Sequence, residues 1–342
     1  MLRFTKNHEN LKYEFHTTFK INYLRMKTQR HLLSILLLAY YLSAFGQADI
    51  SMTTHWYNRA NYNPAFIART DYLYLFTNVR KQWVGIDGAP TVMNLQASEY
   101  IHSMRSAFGI SLISDQIGIT NVLNPSFQYA YRIAPSSEEW ALSLGLSAGL
   151  FARTFNGSLL NPVNLNDPSL VYDNRTMYRP DSNVGVEFQG KYIYLGLSVT
   201  HLFAIGKSDY TFENTSHRYG YVIYKNTNSD YFNFSAGLEV VNRLNLTTVE
   251  LNSMIRFKQP TGLQAGPREL FDVGFSVIST KQAALILGYN ITSNFRIGYS
   301  YEYDYNLKSN QNGTHEIMLE YRIPTKASAT CSSCMVDPNW YF

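Results

Sequence analysis

Three groups of residues in this chain have types and spacings that suit chemistry. Gly145-Leu146-Ser147-Ala148-Gly149 has the G-x-S-x-G spacing of a nucleophile elbow, which sets a serine on a sharp strand-to-helix turn for acyl transfer. Five histidines after residue 46, His55, His102, His201, His217 and His315, are candidate bases. Cys331-Ser332-Ser333-Cys334 has C-x-x-C spacing, which serves redox pairs, half metal sites and small disulfides. Each group lacks the setting its chemistry requires. Ser147 lies in the middle of a perfectly alternating run, where a small residue on a polar face is its whole role. No spacing pairs a histidine with a serine, so the histidines read as scattered and solvated. No second cysteine pair exists and no helix follows the first, which argues against a metal centre. In an oxidising compartment a Cys331–Cys334 disulfide and a pair of free thiols both remain open. There is no Walker loop, dinucleotide fingerprint or HExxH, so no enzyme, cofactor or metal is expected.

The composition explains why chemistry is sparse. Of 342 residues, 16% are charged and 15% aromatic, with 27 tyrosines. Disordered chains have fewer aromatics and more charge. The net charge of +4 is concentrated at the start of the chain. Residues 1–46 hold seven of the 29 basic and two of the 25 acidic residues, leaving 22 against 23 in the rest, a net of −1. No basic field remains for a nucleic acid.

The strongest apolar run is Leu32–Phe45, preceded by Lys27, Arg30 and His31 and followed by Gly46-Gln47. This is a signal peptide by its charged, apolar and small-residue parts, and it is short for a membrane helix. Met26 opens that unit. Residues 1–25 therefore read as upstream of the true start, 26–46 as the export signal, 47–70 as a lead-in, 71–323 as the body and 324–342 as a tail.

The body reads as strands throughout. Trp140, Leu142, Leu144, Leu146, Ala148 and Leu150 alternate with Ala141, Ser143, Gly145, Ser147 and Gly149. Phe295, Ile297, Tyr299, Tyr301 and Tyr303 alternate with Arg296, Gly298, Ser300 and Glu302. Such alternation predicts strands at 71–79, 91–99, 106–114, 120–133, 139–152, 182–189, 191–203, 217–225, 231–242, 244–257, 269–278, 281–289, 294–303 and 314–323. Longer loops are expected at 153–181, 204–216 and 304–313, with the first two facing the cargo side. One face is apolar; the other is rich in Gly, Ser, Thr and Asn, with Glu187, Arg256, Glu302, Glu320 and Arg322 among them. Aromatics at segment ends (Trp140, Tyr192, Phe203, Tyr231, Tyr303) suit interfacial girdles. A soluble sandwich would carry more charge on its outer face. The expected architecture is an all-β, fourteen-stranded antiparallel transmembrane barrel in the outer membrane, in contact with its lipid.

Asn63-Pro64-Ala65, then Arg80-Lys81-Gln82-Trp83-Val84-Gly85, then Gly88-Ala89-Pro90-Thr91 resemble the opening signature of the PorP/SprF family of Bacteroidetes type IX secretion membrane proteins. Ser114–Gly118, Leu144–Leu150, Pro180–Gly185, Tyr194–Ser198 and His315–Leu319 follow in the family's order, so the resemblance spans about residues 50–323. Ala68 departs from it where members often have Gly, and the tail with Cys331 and Cys334 is not matched to it. The resemblance implies a non-enzymatic component that supports secretion or surface attachment of cargo, such as gliding adhesins, by binding. The implied partners are a periplasmic ring lipoprotein or peptidoglycan-associated protein and an exported adhesin with a C-terminal sorting domain. Read as physics alone, Pro64 makes a rigid lead into the first strand and Trp83 beside Arg80 an interfacial anchor or cation–π pair. Gly85, Gly88, Ala89 and Pro90 close the first hairpin. The competing reading is a passive channel or hydrophobic-solute transporter.

Overall fold

Alternating segments make a wall because each strand can turn its apolar side chains one way and its small polar ones the other. In the computed structural model the described residues are 52–69, 72–135, 139–160, 172–204, 215–243, 246–260, 268–307 and 312–324. The expected export signal, residues 26–46, and Cys331 and Cys334 lie outside them. The strands are β1 (Tyr72–Lys81), β2 (Thr91–Ile101), β3 (Ser106–Ile117), β4 (Thr120–Ile133), β5 (Trp140–Asn156), β6 (Asn174–Gly190) and β7 (Ile193–Thr200). They continue as β8 (His217–Asn226), β9 (Phe232–Arg243), β10 (Leu246–Gln259), β11 (Arg268–Ile278), β12 (Gln282–Asn290), β13 (Phe295–Asp304) and β14 (Thr314–Pro324). Each pairs antiparallel with the next, and β14 closes on β1 from Tyr72↔Pro324 to Lys81↔His315. The fourteen-stranded antiparallel barrel expected from the alternation is therefore what the chain forms. A closed barrel leaves no unpaired sheet edge in lipid.

The faces sort as the sequence implies. Leu144, Leu146, Ile110, Leu251 and Ile317 point outward and are exposed, while Ser143, Ser147, Glu187, Arg256, Glu302, Glu320 and Arg322 point inward and are buried. Leu251, at the middle of β10, is 59% exposed on the lipid side. Leu251→Arg is expected to cost about 2–4 kcal/mol, the penalty for a cation at the bilayer midplane, seen as a lower urea midpoint for the folded barrel in lipid.

One sequence expectation changes. The 153–181 loop is much shorter, because β5 runs on to Asn156 and β6 starts at Asn174, with Thr154 opposite Thr176. This hairpin stands beyond its neighbour, since β7 pairs with β6 only from Val184↔Val199. Long and short connections also share one end. The β1–β2, β5–β6, β7–β8 and β13–β14 links lie at the same end as the tight Gly118-Ile119 turn. We call this the loop end, opposite the end where Tyr72 and Pro324 meet.

Candidate functional site: the plugged lumen

Residues 52–69 lack the period of two and do not join the wall. They form two short 3-10 turns, Thr53–Trp56 and Pro64–Arg69, and pack inside the barrel with nearly every side chain buried. Pro64 is suited to the first position of the second turn, where its missing N–H costs no hydrogen bond. Asn63 Oδ1 accepts the Ala65 N–H at 3.0 Å, and its Nδ2 donates to the Val186 carbonyl at 3.1 Å and to the Tyr221 hydroxyl oxygen at 3.0 Å. The lead-in is thus a plug, and Pro64 begins a turn within the lumen instead of leading rigidly into β1.

The wall is shaped to admit it. A Cβ on Gly145 would lie 2.0 Å from the Ala65 nitrogen, and one on Gly185 would lie 2.0 Å from Asn63 Oδ1. Gly237 makes room in the same way for the Trp56 ring. Phe66, Ile67 and Ala68 pack against Tyr100, Ala107 and Ala130 toward the end where Tyr72 and Pro324 meet. Met52 and Tyr62 pack against Val92, Tyr219 and Val241 toward the loop end.

Charge fixes the plug further. The Arg69 guanidinium pairs with Glu187, and both are fully buried. Arg80 of β1 turns inward, donating to Glu302 at 2.8 Å, to Glu316 at 3.4 Å and to Thr53 Oγ1 at 3.0 Å. Glu316 also accepts the backbone N–H groups of Thr53 (2.8 Å) and Thr54 (3.3 Å) and the Asn78 amide (2.7 Å). A second network links Arg256, Glu269, Asp272, Arg296, Glu320 and Arg322 across β10, β11, β13 and β14. Buried charges persist only when paired and hydrogen-bonded in this way.

The signature residues separate into two places. Asn63, Pro64 and Ala65 belong to the plug. Gln82, Trp83, Gly85, Gly88, Ala89 and Pro90 form the β1–β2 hairpin at the loop end, where the Gln82 N–H donates to the Pro90 carbonyl at 2.9 Å. Gly85 and Gly88 take left-handed φ values of 101° and 72°, and Trp83 takes 46°. This hairpin is tied to both flanking connections: Gly118 N–H donates to the Gly88 carbonyl at 2.9 Å, and Val84 N–H to the Gly313 carbonyl at 2.8 Å. Arg80 is spent on Glu302 and Glu316, so it does not anchor Trp83. It is a signature residue that touches the plug from the wall.

The candidate chemistry resolves likewise. Ser147 Oγ accepts the Asn183 N–H at 3.2 Å in mid-strand, and no elbow exists there. His55 and His217 are buried, contrary to the expectation of solvated histidines, because both face the lumen. His201 Nδ1 lies 2.9 Å from Asp181, whose other oxygen accepts the Asn124 amide at 2.8 Å. This pair borders a cavity of about 160 Å³ between plug and loop end, also lined by Met52, Tyr62, Asp115 and Arg153. Among the described residues, His55, Glu239 and Glu250 are a group whose ligand atoms come close enough to hold a metal. Sequence reading missed His55, Trp56, Arg59 and Arg69 as interior residues. The available signal was a stretch dense in aromatic and cationic residues yet without strand period.

The family described as the type IX secretion system membrane protein PorP/SprF matches residues 44–321, most of the chain. The chain belongs to that family. Its match takes in the plug as well as the barrel, so both are part of the PorP/SprF unit. The protein is an outer-membrane β-barrel and a component of type IX secretion. No curated protein matches the sequence. Among solved structures, it is similar to the Pseudomonas putida toluene transporter TodX at 7% identity and TM-score 0.46, covering 84% of this chain and 97% of that one. A Pseudomonas aeruginosa FadL homologue is similar at 10% identity and TM-score 0.44, covering 81% and 95%. The Acinetobacter baumannii outer membrane protein Omp33 is similar at 8% identity and TM-score 0.42, covering 75% and 100%.

Proposed function

We propose that this barrel serves type IX secretion by docking other proteins, with no bond made or broken and no solute path through it. The observation that carries the reading is the plug: a channel or hydrophobic-solute transporter needs a continuous lumen, and Thr53–Arg69 occupy it with hydrogen bonds and ion pairs to the wall. What remains to offer a partner is surface. At the loop end the β5–β6 hairpin projects with Asn174, Arg175, Thr176 and Tyr178 exposed or partly so, and its β6 edge has no β7 partner before Val184. Exposed strand edges bind extended segments by strand addition. We assign the loop end to the outside, since outer-membrane barrels keep longer loops there, and to exported adhesins carrying C-terminal sorting domains. The opposite turns and the 324–342 tail would face a ring lipoprotein or peptidoglycan-associated protein in the periplasm.

The test is mild crosslinking in native outer membranes, purification through a tag and identification of the bound proteins by mass spectrometry. Secretion-ring lipoproteins or a large adhesin should be recovered, and the protein alone should leave a planar bilayer silent. A barrel that is repeatedly recovered alone and conducts as a large open pore would replace docking with transport.

A further inference from the structure

Glu239 on β9 and Glu250 on β10 are directly opposite in the strand register, and both point into the lumen. Like charges so placed destabilise a strand pair unless something compensates them. His55 of the plug is aimed at both: its Nε2 lies 3.4 Å from Glu239 Oε1 and 3.8 Å from Glu250 Oε2. The His55 Nδ1 is bonded to the Met52 carbonyl, so a neutral ring carries its lone pair on Nε2, toward the carboxylates. That Nε2 has no hydrogen-bond partner, nor has Glu239 Oε2, and both residues are at least nine-tenths buried. Glu250 is oriented by Trp56 Nε1 and Ser276 Oγ, which both donate to its Oε1 and leave Oε2 facing the histidine. Arg59 and Arg243 offset part of the Glu239 charge through space, but the Arg59 guanidinium lies over the Trp56 and Tyr221 rings at 4.7 and 5.0 Å and donates no hydrogen bond to either carboxylate.

We infer that His55, Glu239 and Glu250 bind a divalent transition-metal cation that staples the plug to the wall. One imidazole and two carboxylates suit zinc and its first-row neighbours better than calcium or magnesium, which prefer oxygen alone. Tetrahedral ligands about 2.0–2.1 Å from zinc sit about 3.4 Å apart. The His55 distances of 3.4 and 3.8 Å are already near this, and all three ligand atoms lie within 4.8 Å of one another. The plug supplies one ligand and the wall two, so binding the cation and retaining the plug are one equilibrium. This inference is independent of docking, because the isolated barrel reports it.

The experiment uses the full chain, folded in detergent as judged by heat-modifiable gel mobility, stripped with chelator, then titrated with zinc chloride. Bound metal is counted by mass spectrometry after desalting. One zinc per folded chain is expected, with affinity falling about 100-fold or more in Glu239→Gln and His55→Gln. In bilayers, chelator should bring the otherwise silent wild type to measurable openings. Wild type without zinc at micromolar free metal, the result expected if the two carboxylates merely share a proton, overturns the inference; so do folded variants that bind as well as wild type. Should the variants not fold, cobalt(II) added to wild type decides: visible bands of a four- or five-coordinate ion, displaced by zinc, support the site, and their absence rejects it.

Discussion

Gly145→Val is expected to turn a sealed barrel into a conducting one. A Cβ at this position would lie 2.0 Å from the Ala65 nitrogen and 2.4 Å from the Pro64 carbonyl carbon. Both are backbone atoms, so no side-chain rotation relieves the clash, and valine adds two methyl groups beyond the Cβ. Overpacking a well-fitted core costs about 1–3 kcal/mol even when neighbours can shift. Here the wall is held by ladders on both sides, to β4 and to β6, whereas the plug segment is held by side-chain contacts. The plug is the part that yields. Gly185→Val attacks the same segment through Asn63, whose Oδ1 would lie 2.0 Å from the new Cβ, so the double variant should conduct little more than either single one. Gly220→Ala is the control, since its Cβ meets only Leu197 Cδ2, at 3.3 Å. Conductance in planar bilayers and maleimide labelling of a cysteine at Ala65 measure the effect. A folded Gly145→Val barrel that stays silent and unlabelled would show that the plug does not seal the lumen by this contact.

The wall was legible in the sequence and its contents were not, for a physical reason. Alternation such as Leu144-Gly145-Leu146-Ser147 encodes which residues face lipid, because the membrane imposes one requirement on every strand. The inward face must satisfy a particular partner, and the partner of Gly145 is residue 65, eighty positions away. A run of small inward residues reads equally as an open polar lumen or as space reserved for a plug. Gly145, Gly185 and Gly237 decide between them only once Ala65, Asn63 and Trp56 are seen against them. The carboxylate pair Glu239 and Glu250 was hidden in the same way, since register across the tight β9–β10 connection makes them face. Arg80 was singled out from the sequence for its neighbour Trp83, but its partners come from β13 and β14, the last strands in the chain.

Arg80→Ala is the other substitution expected to have a large effect. Removing one partner of a buried ion pair costs about 3–5 kcal/mol, because the remaining charge stays out of water. Arg80 compensates two carboxylates, Glu302 and Glu316, both at most 2% exposed. Glu316 would keep the Thr53 and Thr54 amides and Asn78, whereas Glu302 would keep Thr53 Oγ1 at 3.0 Å. The damage should therefore centre on Glu302 and reach the plug through Thr53. The variant is expected to lose its folded gel band at a temperature well below that of wild type, and a cysteine at Thr53 should become reactive to a water-soluble maleimide. Glu302→Gln in the Arg80→Ala background should recover part of the stability, since it removes the uncompensated charge while keeping the shape. Arg175→Ala, on the exposed part of β6, should leave both measurements unchanged. An Arg80→Ala barrel as heat-resistant as wild type would mean that the lumen is wet enough at this depth to solvate both carboxylates, and that the plug is held without Arg80, by the Arg69–Glu187 pair and the packing at Gly145 and Gly185.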